Sequence, residues 1–323
     1  MLVTVPSLYP GEEGGVRRLE AAGVSLRFAP CQPSTPIGDL IQHLDGCDAV
    51  MAADEAYTFE VLAAASQLKH VARYGAGYDS VDLAAAERLG VVVTNTPGAN
   101  AEAVADHAFA LILALARRVS AYNRAVRAGD WRQHETVDVW GATLGVVGLG
   151  HVGRAVATRA TRGFAMRVLA YTPRPDRGFA ERLGVELVSL EILLGKADFV
   201  SLHAAATPEA TDLIDARRLA LMKPTAFLVN TARGRLVDED ALYQALVTGR
   251  IAGAGLDVRR VEPPTDARFD TLDNVIMTPH AASVTRQSRL RSGTMAADAI
   301  LCVLRGDRPE GLLNPTVWER RRT

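Results

Sequence analysis

Cysteine is scarce in this chain: Cys31, Cys47 and Cys302 are the three among 323 residues, with no CxxC pair and no histidine cluster at ligand spacing. That excludes a disulfide framework, argues against a structural metal, and fits a reducing, cytoplasmic setting. Charge of one sign is missing too. Thirty-six Lys and Arg against 37 Asp and Glu leave a formal net charge of −1, so no global field draws the chain to nucleic acid or an anionic membrane. A membrane-length apolar run is also absent. The longest candidate, 101–116, carries Glu102, Asp106 and His107 and falls short of a bilayer span. The opening MLVTVPSLYPGEEGG does not read as a signal peptide, and no internal repeat or low-complexity linker is visible. The basic run Arg320–Arg322 reads as a frayed, solvated tail.

What is present is ordinary globular composition, 48% hydrophobic and 23% charged, at a length that suits two domains. Short β-branched runs alternate with helical stretches, the pattern of a parallel sheet covered by helices. LVTV (2–5), SLRFA (25–29), DAVMA (48–52), HVARY (70–74) and VVVT (91–94) form a first strand series. A long Ala- and Leu-rich helix is predicted over 101–118. Six further strands follow, in TLGVVGLG, RVLAYT, FVSLHA, AFLVNTA, IAGAGLDV and NVIMTP, and a last helix spans about 283–305. The expected fold is α/β with two Rossmann-like, doubly wound domains. A dinucleotide-binding domain over 99–285 is inserted into a flavodoxin-like substrate domain made of 1–98 and 286–323, with a ligand cleft between domains.

Gly148-Leu149-Gly150-His151-Val152-Gly153 is a GxGxxG that directly follows one strand and opens a helix. In that setting the first glycine makes the tight turn, the second admits a pyrophosphate, and the third lets helix and strand pack. The helix N-terminus then offers amides and partial positive charge to the phosphates. About 20 residues on, where an Asp or Glu would take the ribose hydroxyls of NAD, the strand ends in Tyr171-Thr172-Pro173-Arg174. Thr172 is neutral and Arg174 suits a 2′-phosphate, so NADP is favoured over NAD.

Three candidates stand at later strand ends: Arg233 in NTARG, Glu262 in VEPP and His280 in TPHAA. A guanidinium can fork to a carboxylate and polarise a neighbouring carbonyl. Imidazole titrates near neutrality and can exchange the proton, and a carboxylate on its other nitrogen fixes the tautomer and favours the imidazolium. These are the roles that reduction of a 2-keto acid needs. Arg73 is a candidate grip for a second anionic group, with packing along the domain edge as its alternative.

From RYGAGYDSVD (73–82) through NTPGANAEAVADH (95–107), LGVVGLGHVGRAVA (144–157), SLHAAATPEAT (201–211), NTARGRLVDEDAL (230–242) and GAGLDVRRVEPP (253–264) to NVIMTPHAA (274–282), the chain resembles the D-isomer-specific 2-hydroxyacid dehydrogenases. That family includes phosphoglycerate dehydrogenase, glyoxylate/hydroxypyruvate reductase and D-lactate dehydrogenase. The resemblance implies an NAD(P)-dependent enzyme that acts on a small 2-keto or 2-hydroxy acid, either glyoxylate- or hydroxypyruvate-like or 3-phosphoglycerate-like, built as a homodimer, with no nucleic-acid or membrane partner. Arg233, Glu262 and His280 match the family's catalytic arginine, glutamate and histidine. Gly75-Ala76-Gly77 match its carboxylate-binding loop. Asp257 matches the residue that meets the nicotinamide carboxamide, Ala204, Thr231 and Ala232 are cofactor neighbours, and His151-Val152 lie over the pyrophosphate. There are departures: Thr172 replaces the usual Asp, Ala205 a common Pro, and Arg259-Arg260 the usual Phe-Glu stretch. A non-catalytic NAD(P)-sensing scaffold, similar to the family's transcriptional co-repressors, is the alternative.

Overall fold

A computed structural model describes residues 1–322. The chain divides into two compact units, one joining Met1–Asn100 to the segment from Thr285 onward, the other running Ala101–Val284. The first unit holds a five-stranded sheet, β1 (Leu2–Val3), β2 (Arg27–Phe28), β3 (Ala49–Ala52), β4 (His70–Arg73) and β5 (Val92–Thr94), in the order β2-β1-β3-β4-β5. Every pairing is parallel, with Val50 opposite Val71 and Val71 opposite Val93. β3, β4 and β5 are buried along their whole length, because helices cover both faces of such a sheet and the strands read as continuous apolar runs.

The second unit carries β6 (Thr143–Val147), β7 (Arg167–Tyr171), β8 (Glu186–Leu187), β9 (Phe199–Leu202), β10 (Phe227–Asn230), β11 (Gly253–Leu256) and β12 (Val275–Met277). All are parallel, in the order β12-β11-β10-β9-β6-β7-β8. This is the doubly wound dinucleotide-binding order extended by one strand, and its switch point lies between β6 and β9, where ligands bind at the strands' carboxyl ends. One face packs Val147, Val200, Leu228 and Ala254 with Leu193, Leu242 and Phe269. The other packs Leu144, Val146, Phe199 and Val229 with Ile112, Leu115 and Val156. Burying each such aliphatic side chain is worth roughly 1.5–3 kcal/mol.

Two expectations need correction. The sequence yields six strands for this sheet and the structure has seven. β8 is a two-residue edge strand that pairs with β7 at Leu169–Glu186 and Ala170–Leu187, too short to leave an alternating pattern. The Arg320–Arg322 run is not frayed. Arg322 donates to the carbonyls of Leu89 (2.8 Å), Ala65 (2.7 Å), Leu68 (2.9 Å) and Leu62 (3.4 Å), at or just beyond the C-termini of the helices Phe59–Ala64 and Leu83–Arg88, where unpaired carbonyls attract a cation. Arg321 lies 3.9 Å from the Trp318 ring centroid and Arg320 pairs with Glu87. No helix among the described residues is long and apolar enough to cross a membrane, and the three cysteines are free thiols.

Candidate active site

The glycine turn after β6 has the shape a dinucleotide needs. Gly148 sits at φ +96°, and a Cβ there would lie 2.6 Å from the backbone of His203 and Ala204. A Cβ on Gly153 would lie 2.0 Å from the Gly148 carbonyl, whereas one on Gly150 would meet nothing within 4 Å. The first and third glycines therefore close the turn, and the second leaves room above it. The helix His151–Phe164 starts there with no side-chain cap, so its first amides, at His151, Val152 and Gly153, have no intrahelical acceptor. Thr231 Oγ1 and His203 Nδ1 are buried without a hydrogen-bond partner, and Thr231, Ala232 and Ala204 follow β10 and β9 at their carboxyl ends. These features fit NAD(P), which when bound supplies or accepts the hydride.

At the end of β7 no carboxylate is available. Tyr171 gives its carbonyl to Gly148 N at 2.8 Å. Asp176 caps the helix Arg177–Leu183 through Phe179 N and pairs with Arg154 at 3.1 Å. Thr172 is half-buried, Arg174 is exposed, and no carboxylate among the described residues pairs with Arg174.

The three candidate residues follow three strand ends. After β10, Asn230 grips its own turn, accepting from Ala232 N at 3.0 Å and donating to the Arg233 carbonyl at 2.9 Å. This fixes Arg233 in extended backbone at φ −146°. After β11 comes Glu262, whose Oε1 accepts from Arg259 N at 2.9 Å and whose Oε2 lies 2.7 Å from His280 Nδ1. After β12, His280 occupies the left-handed region at φ +51°, a conformation that persists only where neighbours impose it. Asp257 imposes it. Its carbonyl accepts from His280 N at 2.8 Å, and its buried carboxylate accepts from Ala281 N (2.8 Å), Ala282 N (2.9 Å) and Thr278 Oγ1 (2.5 Å). The carboxylate that the resemblance assigned to the nicotinamide carboxamide is thus also what shapes the histidine turn.

The hydrogen bond that Glu262 accepts from His280 raises the His280 pKa above its ordinary 6.5, against burial and the Arg233 charge, which lower it, and with help from the charge of Glu262 and of Asp257. Burial alone would raise the Glu262 carboxyl. The bonds from His280 and Arg259 N, with the charges of His280 and Arg233, bring it below 4.5 instead. Arg233 is therefore close enough for its charge to act on both partners. The three predicted residues form one electrostatic group: an ion-paired imidazolium that can donate a proton, and a guanidinium beside it that can hold an anion.

In the first unit, the loop after β4 turns its carbonyls inward. Gly75 O accepts from Thr96 N (3.0 Å), Ala76 O from Asn95 Nδ2 (2.7 Å) and Gly77 O from Arg73 Nε (3.1 Å). The amides of Ala76 and Gly77 have no protein acceptor among the described residues, and Gly75 at φ +149° allows the turn that exposes them. A pair of such amides suits a carboxylate. Arg73 is buried, and its other nitrogens go to the Ala52 carbonyl (2.9 Å) and Asp54 (2.6 Å). Its guanidinium is spent on bracing the loop.

Sequence reasoning missed His107, whose Nε2 lies 2.9 Å from Thr278 Oγ1 and 3.5 Å from Asp257. Its signal is a polar residue on the buried side of an apolar helix. Among the described residues no group of three metal-ligating side chains comes together.

Comparison with known proteins agrees with this geometry. Residues 109–282 match the family model for the D-isomer specific 2-hydroxyacid dehydrogenase NAD binding domain. A glyoxylate reductase of Korarchaeum cryptofilum is 46% identical over 286 residues, 86% of each chain. The chain belongs to the D-isomer specific 2-hydroxyacid dehydrogenases. A D-3-phosphoglycerate dehydrogenase of Methanocaldococcus jannaschii is 39% identical over 85% of this chain, which spans 53% of that longer protein. The crystal structure of a glyoxylate reductase from Paecilomyes thermophila aligns at TM-score 0.87 with 27% identity, over 97% of this chain and 98% of that one. The protein is an NAD(P)-dependent oxidoreductase of the CH–OH group, and the non-catalytic scaffold reading is not favoured.

Proposed function

We propose that this dehydrogenase reduces a small, unphosphorylated 2-keto acid of the glyoxylate or hydroxypyruvate kind, with NADPH preferred. The observation that carries the reading is the 2.7 Å contact between Glu262 and His280, with the Arg233 charge acting on both. Arg233 holds the substrate carboxylate or polarises the keto oxygen. His280 gives its proton to that oxygen as hydride arrives at C2, and in the oxidative direction neutral His280 takes the alcohol proton. General acid–base help of this kind is worth about 10²–10⁴-fold. The engagement of Arg73 with Gly77, Ala52 and Asp54 supports an unphosphorylated acid over a phosphorylated one. Similarity to a glyoxylate reductase supports the same substrate size.

NADPH preference rests on Thr172 and the unpaired Arg174, with Asp176 engaged elsewhere. Gly148, Gly150, His151, Val152, Gly153, Ala204, Thr231, Ala232 and Asp257 line the cofactor. Free thiols at Cys31, Cys47 and Cys302 suit the cytoplasm. Trp131 and Trp140 on the second unit are largely exposed, which suits a homodimer that would cover them.

The test is steady-state oxidation of NADPH and NADH with a panel of 2-keto acids. Highest kcat/KM for two- or three-carbon unphosphorylated acids with NADPH is expected. Preference for a phosphorylated acid, or no turnover despite cofactor binding, would reject the reading.

A further inference from the structure

The dipeptide Arg259-Arg260, noted above as a departure in sequence, lies between the two loops that carry Arg233 and Glu262. Arg259 is an arginine with only 8% of its surface exposed. Its Nε and Nη2 fork onto Glu239 Oε1 and Oε2, both at 3.1 Å, and Nη2 also reaches Asp266 at 3.4 Å. Its guanidinium lies 4.6 Å from the centroid of the Phe269 ring. Glu239 Oε1 accepts a second bond from Arg260 N at 2.6 Å. The backbone is thereby held at two consecutive residues, and the amide of the first is the donor that fixes Glu262 Oε1 at 2.9 Å. On the other side, a Cβ on Gly234 would lie 2.0 Å from the Arg259 carbonyl carbon and 2.3 Å from Arg260 N, so the residue after Arg233 is packed backbone to backbone against the same dipeptide.

We infer that Arg259 is a positioning residue for the acid–base pair: its fork on Glu239 sets the amide that orients Glu262 against His280, and the same backbone walls the Arg233 turn. The chain of contacts runs Glu239, Arg259, Glu262, His280 without a gap. A planar bidentate fork fixes direction as well as distance, which a single surface pair does not. The inference rests on the catalytic reading of Glu262 and His280 given above.

The charged groups around the pair must be counted in any test by pH. His280 faces Glu262, Arg233 and Asp257, and Glu262 faces Arg233 as well. Asp257 faces His107. Arg259 faces Glu239 and Asp266, Arg268 pairs with Asp266 and Asp240, and Arg260 pairs with Asp212. Replacing Arg259 alone would leave the largely covered Glu239 charge without its cation, so the main variant is Arg259→Met with Glu239→Gln, and Arg259→Lys is the conservative control.

The measurements are kcat/KM for the keto acid from pH 5 to 9, KM for the reduced cofactor, and the thermal midpoint. A misplacement of about 1 Å costs on the order of 10²-fold, so kcat/KM of the double variant falls at least about tenfold with cofactor KM unchanged. The alkaline limb of its profile moves to lower pH as Glu262 loosens from His280, and Arg259→Lys lies between it and the parent. If the double variant does not fold, Arg259→Lys alone must move the limb in the same direction. An unmoved limb, with rate loss tracking the loss of folded protein, overturns the inference. His280→Asn separates the two claims. If that variant is inactive while the limb stays put, only the positioning role fails; if it keeps its rate, the catalytic reading fails and the inference with it.

Discussion

Glu262→Gln is the substitution that probes the ion pair most selectively. The parent contact is 2.7 Å long, with side chains 35% and 45% exposed. Two unit charges about 4 Å apart attract by about 4 kcal/mol at an effective dielectric constant of ~20, while fully exposed pairs deliver roughly 0.2–1 kcal/mol. A half-exposed pair falls between, and discounting for solvent leaves about 1.4 kcal/mol, or tenfold. Gln keeps an oxygen for Arg259 N and turns its amide N–H toward His280 Nδ1, which favours neutral imidazole. Because His280 is raised above 6.5 in the parent, the imidazolium persists there into the range where an ordinary histidine has lost its proton. The stability the raised histidine contributes is complete below 6.5 and fades as pH rises through the raised value. The share from Glu262, held below 4.5, is present above 4.5 and fades as pH falls. Keto-acid reduction by Glu262→Gln is therefore expected to drop about tenfold near pH 8, yet stay close to the parent near pH 5.5, where imidazole is protonated without help. The assay is kcat/KM against pH with saturating reduced cofactor. An equal loss at both pH values would refute a role exerted through the imidazolium.

Arg174→Ala removes the exposed cation beyond β7. Loss of a charged hydrogen bond of about 1.5–3 kcal/mol, discounted for exposure, raises the KM for NADPH about tenfold. KM for NADH stays within a factor of about two, and equal responses of the two cofactors would remove the basis for NADPH preference. Arg322→Ala strips the cation from four backbone carbonyls. It should lower stability by about 2 kcal/mol and the thermal midpoint by several degrees, with kcat unchanged. An unmoved midpoint would restore the picture of a solvated tail.

The fold was legible because its signals are local. Each strand of four or five residues in the second unit is an apolar run closed by a turn, and the GxGxxG stands between β6 and its helix, where the spacing alone dictates a close backbone. Arg233, Glu262 and His280 could be nominated because each follows a strand in the order a doubly wound sheet brings together. Contacts between distant segments were not legible. Two residues of β8 leave no periodicity. The carbonyls that take Arg322 become a site only when two helices end side by side, some 233 to 260 residues earlier in the chain. His107 meets Thr278 across 171 residues. Arg73 meets Ala52 and Asp54, contacts that the alternation of residues along β4 does not encode. Arg259 was visible as a departure from the pattern of the family that the chain resembles, and its partner Glu239 was not.

The central claim is that His280 carries the proton in hydride exchange at C2. The most direct measurement is kcat for keto-acid reduction by His280→Asn, paired with the dissociation constant for reduced cofactor by fluorescence titration. A fall in kcat of about 10²–10⁴-fold with cofactor affinity within about twofold is expected. A kcat within a few-fold of the parent, or a loss that follows cofactor affinity step for step, would contradict it.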